Sequence, residues 1–149
     1  MTETELLFTE VLGCDKASLY LDKSLKLDND KLSLICSSFK RRIKGEPIQY
    51  ILGKTEFMGL EFKVAPGVFI PRPETEILVE VAKSFLDFSR DSLRSQSQEV
   101  LRILDLCTGS GCIAIALAKL LPYAEIDAVD ISKEALKIAE ENARTNNVR

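Results

Sequence analysis

The apolar residues of the first fifty positions recur at helical spacing between charged and polar neighbours. This spacing predicts a first helix that ends at Gly13 and a second helix from about Asp30 to Lys44. The first helix carries four apolar residues on one face, Leu6, Leu7, Val11 and Leu12. The second carries five, Leu32, Ile35, Cys36, Phe39 and Ile43. The pattern therefore predicts a small helical unit at the start of the chain.

The pattern changes after this helical unit. The segment GEPIQYILG, Gly45 to Gly53, is typical of a short helical turn that Pro47 opens. The residues from Thr55 to Val64 then alternate loosely around Gly59. This alternation predicts a β-hairpin that connects the helical unit to the rest of the chain.

A proline-rich segment, FIPRPETE, comes next at Phe69 to Glu76. Pro73 can open a helix, because its fixed φ suits the first helical position. The apolar face of this helix is predicted to contain six residues, Ile77, Leu78, Val81, Ala82, Phe85 and Leu86. The polar stretch from Ser89 to Glu99 has little pattern and predicts a surface connection.

The rest of the chain alternates between strand and helix patterns. LRILDL, Leu101 to Leu106, has the continuous apolar character of a buried strand, and a nearly all-apolar helix is predicted from about Gly111 to Leu121. A second strand is predicted from Ala124 to Asp130, and Ser132 can cap a last, amphipathic helix. This order predicts an α/β fold with two parallel strands and a right-handed crossover.

The loop after the first of these strands contains the candidate chemistry. Ligands of open parallel sheets bind beyond the carboxyl ends of the strands, and the loop Cys107–Gly111 lies there. Gly109 and Gly111 permit positive φ and leave the backbone open to a ligand. Asp105 and Asp130 place carboxylates at the ends of the two strands. These residue types predict a nucleotide-containing cofactor beside the loop.

Two cofactors compete for this arrangement. Gly109, Gly111 and Ala114 fit the dinucleotide fingerprint, and Asp130 stands about twenty residues on, as that fingerprint requires. S-adenosylmethionine carries two cationic groups and a ribose diol, which Asp105 and Asp130 could receive. The loop has no lysine or arginine for a pyrophosphate, and an acidic residue precedes it. We therefore favour S-adenosylmethionine over NAD.

Composition narrows the remaining choices. The 149 residues have a net charge of −3 and contain no histidine, so catalysis by a Ser–His or Cys–His pair is excluded. The four cysteines form no C-x-x-C pair, which predicts small packed thiols and no metal site. The acidic start resembles neither a signal peptide nor a transit peptide, and no apolar run is long enough for a bilayer. We expect a cytoplasmic protein.

Several motifs resemble a known family. DLCTGSG, Asp105 to Gly111, and AVDIS, Ala128 to Ser132, resemble the first two cofactor motifs of class I methyltransferases. Together with GEPIQYILG and FIPRPETE, they resemble the peptide chain release factor glutamine methyltransferases, the PrmC/HemK family. The resemblance implies three parts. A helical substrate-docking domain spans residues 1–53, a β-hairpin linker spans 54–70, and 71–149 form the first half of a Rossmann-like S-adenosylmethionine-dependent domain.

The resemblance also implies a function and a set of site residues. The family methylates the side-chain amide nitrogen of the glutamine in the Gly-Gly-Gln motif of release factors. The cofactor would contact eight residues, Asp105, Cys107, Thr108, Gly109, Ser110, Gly111, Asp130 and Ile131. Four more are candidates for the cofactor or substrate pocket, Arg72, Pro73, Glu74 and Thr75. The expected partners are release factors, and neither nucleic acid nor a membrane is expected.

Two departures from the family pattern limit these expectations. Cys107 stands where the family has a glycine, and the Asn-Pro-Pro-Tyr motif that holds the substrate amide occurs nowhere in the chain. We therefore expect no catalytic residue here, weak or no cofactor binding, and no methyl transfer by this chain alone. Two parallel strands make a marginal sheet, so we also expect self-association or disorder toward the C-terminus.

Three other functions remain open on the sequence. One is a related N-methyltransferase that acts on ribosomal protein or nucleic acid. Another is an NAD-dependent oxidoreductase, because the glycine spacing fits both cofactors. The third is a module that binds release factor without chemistry.

Overall fold

The computed structural model describes residues 2–93 and 100–148. The chain divides into two compact units, Met1–Gly53 and Lys54–Arg149. Among residues 2–93 and 100–148, no helix is both long and apolar enough to cross a membrane. The predicted polar connection of residues 89–99 is helical as far as Leu93, and residues 94–99 lie outside the described ranges.

Four helices form the first unit: α1 (Glu3–Leu12), α2 (Lys16–Leu21), α3 (Asn29–Ile43) and α4 (Ile48–Leu52). Short-range hydrogen bonds begin three of them. Thr2 and Glu5 form a capping box at α1, and Asp15 and Asp28 cap α2 and α3. The sequence pattern did not predict α2, which is only six residues long.

The core of the first unit is small. Its buried aliphatic residues are Leu7, Ile35 and Ile48, and the rings of Phe8 and Phe39 lie 6.3 Å apart. The predicted inward face of α3 is partly wrong, because three of its members are exposed, Leu32, Cys36 and Ile43. A helix of 3.6-residue period offers two overlapping apolar stripes here, and packing against α1 selects the one with Ile35 and Phe39.

The second unit contains the remaining elements: β1 (Lys54–Phe57), β2 (Leu60–Lys63), α5 (Pro73–Leu93), β3 (Leu101–Leu106), α6 (Cys112–Leu120), β4 (Ala124–Val129) and α7 (Lys133–Thr145). β1 and β2 form the predicted antiparallel hairpin, and its two turn residues, Met58 and Gly59, have positive φ. β3 and β4 are parallel, with Leu101 opposite Ala124. The predicted α/β fold class is confirmed.

The core of the second unit joins the hairpin to the α/β part. Phe57 and Phe62, one from each hairpin strand, are buried edge to face with their ring centres 6.1 Å apart. They belong to the same cluster as Val79 of α5 and Leu117 of α6. The hairpin is therefore packed into the second unit. The three-part division drawn from the sequence stays a prediction.

Burial along β3 differs from the prediction. Its residues alternate between half-buried and exposed, and Leu104 and Leu106 are 58% and 67% exposed. Ile103 packs against the core cluster, which includes residues of α6. Within the described residues, helices cover one face of the β3–β4 pair, so the apolar side chains on the other face stay open. The expectation of a buried strand is wrong for this face.

The two helices beside this sheet show the same one-sided packing. α6 is buried along most of its length, as its apolar composition predicts. On α5 the inward residues are Val79, Ala82 and Leu86. The other four residues of its predicted face are exposed, Ile77, Leu78, Val81 and Phe85. Apolar residues therefore occupy two sides of α5, and the described residues pack against only one of these sides.

Candidate functional site

The loop Cys107–Gly111 joins β3 to α6 at the carboxyl end of the parallel strands. Three of its residues have left-handed backbone conformations, Cys107 (φ 60°), Gly109 (φ 58°) and Gly111 (φ 79°). The N–H of Thr108 donates to the carbonyl of Val129 (3.0 Å), and the N–H of Gly111 donates to the carbonyl of Thr108 (2.9 Å). The loop is thus a tight turn that is tied to the end of β4.

Asp105 turns toward this loop. Its Oδ2 accepts a hydrogen bond of 2.7 Å from the hydroxyl of Thr108. The carboxylate is half-buried at the end of β3. The hydroxyl and the strand together fix its side chain beside the loop.

Asp130 binds the loop from the other strand. Its Oδ2 accepts from the N–H of Gly109 (2.8 Å), and its Oδ1 accepts from the N–H of Ser132 (2.9 Å). These backbone donors, first Ser132 and then Gly109, lower the pKa of the Asp130 carboxyl below its usual value. The structure therefore brings the two acids, which are 25 residues apart in the sequence, to adjacent residues of one loop.

The other candidates for cofactor contact, in the loop and just after β4, differ in which of their groups a ligand could reach. The side chains of Cys107 and Ile131 are exposed, and Ile131 is 99% exposed. Thr108 and Ser110 are buried. A ligand beside the loop could reach the side chains of the first two residues, whereas Thr108 and Ser110 could serve it only through their backbone.

Gly111 marks a close approach between α6 and α7. A Cβ atom at this position would lie 3.0 Å from Cδ1 of Ile115 and 3.1 Å from Cβ of Ala139. Gly111 is also the residue before α6, and no side chain caps that helix. The first N–H groups of α6 have no partner within the helix and point toward the loop.

The candidates in FIPRPETE form a separate part of the unit. Arg72, Pro73 and Glu74 are exposed, and the guanidinium of Arg72 lies 5.6 Å from the ring centre of Phe69. The N–H of Thr75 donates to the carbonyl of Arg72 and begins α5. Among the described residues, no hydrogen bond or ion pair joins these four candidates to the Cys107–Gly111 loop.

Two residues that the sequence analysis missed connect this site to its surroundings. Asn142 of α7 hydrogen-bonds to both Lys63 of β2 and Ser110 of the loop. Glu76 of α5 accepts a 2.7 Å hydrogen bond from the N–H of Met58 in the hairpin turn. The only sequence signal for Asn142 was a weak one, because asparagine is a poor helix former and this one lies within the predicted last helix.

A groove of about 680 Å³ lies between α6, β4 and α7. Its lining is largely aliphatic and small, and includes Ile126, Ala139 and Gly111. Neither Asp105 nor Asp130 lines it. The groove therefore does not include the two acids of the loop, although three other acidic residues, Glu125, Asp127 and Glu140, line it.

Two family models match separate parts of the chain, and the first match ends where the first compact unit ends. Residues 1–53 match the family model described as PrmC N-terminal domain. Residues 88–149 match the model described as ribosomal protein L11 methyltransferase (PrmA).

Curated relatives match almost the whole chain. The chain is 44% identical over 147 residues to the release factor glutamine methyltransferase of Coxiella burnetii, covering 99% of this chain and 50% of the relative. It is 43% identical to the protein of the same name from Thermodesulfovibrio yellowstonii, with the same two coverages. The chain thus spans about half the length of these relatives. Among solved structures, a ribosomal protein L11 methylase from Lactobacillus delbrueckii subsp. bulgaricus is 31% identical, with a TM-score of 0.40, over 57% of this chain and 38% of that one.

Proposed function

We propose that this chain is a member of the release factor glutamine methyltransferases and carries the cofactor-binding part of such an enzyme, because it is 43–44% identical to two of them over about half of their length. The proposed cofactor is S-adenosylmethionine. The observation that carries this proposal is the convergence of Asp105 and Asp130 on one glycine-containing turn.

The chemistry of these groups fits the cofactor. Each oxygen of a carboxylate accepts about two hydrogen bonds, and each oxygen of Asp130 accepts one from a backbone N–H. Asp130 thus has capacity for the two hydroxyls of a ribose. Its carboxylate is ionised at neutral pH, and its lowered pKa makes protonation still less favourable. Asp105 supplies a second negative charge for the methionyl ammonium, and a charge-assisted bond of this kind contributes roughly 1.5–3 kcal/mol.

The remaining residues of the site complete this assignment. The backbone of Cys107–Gly111 would lie along the methionine part, because its glycines leave room for close contact. The exposed side chain of Ile131, next to Asp130, would offer an apolar surface to the adenine. Arg72 to Thr75 are proposed to line the pocket on the substrate side, on the family resemblance.

The reaction needs more than this half of the site. When bound, S-adenosylmethionine supplies an electrophilic methyl group on a sulfonium centre. The lone pair of a glutamine amide nitrogen is delocalised into its carbonyl, so acceptors must orient the amide for attack. The chain contains no Asn-Pro-Pro-Tyr motif to do so. We therefore assign it no catalytic residue and expect no methyl transfer from this chain alone.

The proposed acceptor is the glutamine of the Gly-Gly-Gln motif in release factors. The match of residues 1–53 to the PrmC N-terminal domain supports a docking role for the helical unit. The match of residues 88–149 to the ribosomal protein L11 methyltransferase model favours a second candidate, a ribosomal protein acceptor. Pull-down of purified release factor and of ribosomal protein L11 with the chain separates the two. We expect capture of the release factor, and capture of L11 alone would contradict this assignment.

Binding of S-adenosylhomocysteine, the demethylated product, tests the cofactor assignment. We expect weak binding by isothermal titration calorimetry, and its loss in Asp130→Asn. Asp127→Asn is the matched control, because Asp127 is an exposed acid of β4, the strand that precedes Asp130, and pairs with Arg102. Equal affinity in the two variants would contradict the role of Asp130.

A further inference from the structure

One buried amide side chain connects three separate segments of the second unit. Asn142, on α7, is 1% exposed. Its Oδ1 accepts from the N–H of Lys63 (2.7 Å), and its Nδ2 donates to the carbonyls of Lys63 (3.1 Å) and Ser110 (2.8 Å). Lys63 ends β2, and Ser110 belongs to the Cys107–Gly111 loop. Residues 79 and 32 positions away in the sequence are thus held by a single side chain.

An amide is the side chain that satisfies this arrangement. Asparagine has two N–H donors and one carbonyl acceptor at the end of a short side chain. Both donors and the acceptor of Asn142 are used here. Its pair of hydrogen bonds with the N–H and carbonyl of Lys63 resembles the pair that two opposite residues of neighbouring antiparallel strands form. Aspartate would keep the acceptor but lose both donors, and alanine would lose all three bonds.

The bond to Ser110 controls the conformation of the loop. The carbonyl of Ser110 and the N–H of Gly111 belong to the same planar peptide group. That N–H donates to the carbonyl of Thr108 and closes the turn. The closed turn sets the direction of the Gly109 N–H, which donates to Asp130. Fixing the Ser110 carbonyl therefore fixes the chain of hydrogen bonds that ends at the proposed ribose acceptor.

We propose that Asn142 is a positioning residue that holds the Cys107–Gly111 loop in its ligand-ready turn by anchoring the Ser110 carbonyl to strand β2. This role rests on the proposed function only in naming the ligand of the loop. Without Asn142, the peptide between Ser110 and Gly111 is held only by the bond from the Gly111 N–H to Thr108, so the turn opens more readily and the Gly109 N–H is less firmly oriented.

Asn146, the C-cap residue of α7 and one turn beyond Asn142, provides a matched control. It is also buried, at 8% exposure, and its Nδ2 donates to the carbonyl of Glu61 in β2 (2.9 Å) and to that of Asn142 (3.0 Å). Within the described residues it has no hydrogen bond to the loop. The two asparagines thus tie the same helix to the same strand, and only Asn142 also holds the loop.

Amide hydrogen exchange measured by NMR on Asn142→Ala and Asn146→Ala tests the proposal. In Asn142→Ala we expect the amides of Gly109 and Gly111 to exchange about tenfold faster or more, relative to the Leu121 amide, which is bonded within the core. In Asn146→Ala the ratio should equal that of the wild type. Equal acceleration in the two variants, or a uniform acceleration of all three amides in Asn142→Ala, would overturn the proposal.

A second variant and a ligand titration complete the hydrogen-exchange experiment. If Asn142→Ala does not fold, Asn142→Ser retains a small polar group, and the same ratios apply to it. A parallel titration with S-adenosylhomocysteine separates this proposal from the proposed function. Selective loop exchange in a protein that binds no S-adenosylhomocysteine would support the role of Asn142 and contradict the cofactor assignment. A normal loop in a variant with weakened binding would contradict the role of Asn142.

Discussion

Each of the two units of the chain is stabilised internally by polar interactions, and these differ in kind between the units. In the helical unit, Met1–Gly53, the polar contacts are mostly short in sequence or exposed. Thr2 and Glu5 cap their own helix, and the Arg42–Glu3 ion pair joins side chains that are 40% and 54% exposed. Exposed pairs of this kind are screened by water and contribute little to stability, so the unit depends on no single one of them.

In the second unit, the site depends on a few hydrogen bonds between distant residues. Asn142 reaches Lys63 and Ser110, and Asp130 reaches Gly109. These bonds join side chains to backbone groups in buried or half-buried surroundings, where an unpartnered group costs about 1–3 kcal/mol. The helical unit should therefore tolerate polar substitutions, whereas the loop should be sensitive to single changes.

The largest effect is expected at Gly111. Gly111→Ala adds a Cβ within 3.1 Å of Ala139 at a backbone with φ 79°, and should destabilise the chain by about 2–3 kcal/mol in urea unfolding. Gly109→Ala is the control, because its φ is also positive but the nearest atom to its Cβ is 4.0 Å away. It should cost only about 1 kcal/mol. Equal costs would show that the close approach of α6 and α7 is not a constraint.

The same substitution, cysteine to glycine, can be made once in each unit, and its effects on stability should have opposite signs. Cys107→Gly relieves a non-glycine residue with φ 60° and should stabilise the chain by about 1 kcal/mol. The same substitution at Cys36, exposed in the middle of α3, should destabilise it by a few tenths, because glycine is a poorer helix former. Thermal unfolding measures both. A loss of stability in Cys107→Gly would mean that the thiol makes a favourable contact that outweighs the backbone strain.

These substitutions also show what the sequence could and could not predict. The strand-end positions of Asp105 and Asp130, and the glycine turn between them, follow from hydrophobic pattern and turn chemistry, which are local. The role of Asn142 did not follow, because its partners are set by the packing of α7 on β2. The exposed faces of α5 and β3 were also missed, since burial depends on which layers are present and not on the apolar pattern itself.

Acid should weaken the helical unit through Glu5. Hydrogen bonds, first from the Thr2 backbone and then from Tyr20 and Lys16, lower the pKa of Glu5 from 4.5 to about 2. Its contribution to stability is therefore complete above about pH 4.5, and is lost as the pH falls toward 2. Between pH 5 and pH 2, Glu5→Gln should lose less thermal stability than the wild type, as followed by far-UV circular dichroism. Glu74→Gln, an exposed acid of the second unit, should follow the wild type, and an identical loss in both variants would contradict this prediction.

The smallest effect concerns the predicted self-association. Ile77 and Val81 are exposed one turn apart on α5, and exposed apolar faces of this kind favour association. The double substitution Ile77→Gln and Val81→Gln should raise the concentration at which dimers appear by several-fold in sedimentation equilibrium. It should leave unfolding nearly unchanged, because both side chains are exposed. An unchanged dimer population would place the contact elsewhere.

The most direct test of the central claim is a comparison of two cofactors at the Cys107–Gly111 loop. Backbone amide NMR spectra are recorded while the ¹⁵N-labelled chain is titrated with S-adenosylhomocysteine and, separately, with NADH. We predict weak, saturable shifts at Gly109, Gly111 and Ile131 with S-adenosylhomocysteine and none with NADH at the same concentrations. Shifts of these amides with NADH alone, or none with S-adenosylhomocysteine up to its solubility limit, would contradict the cofactor assignment.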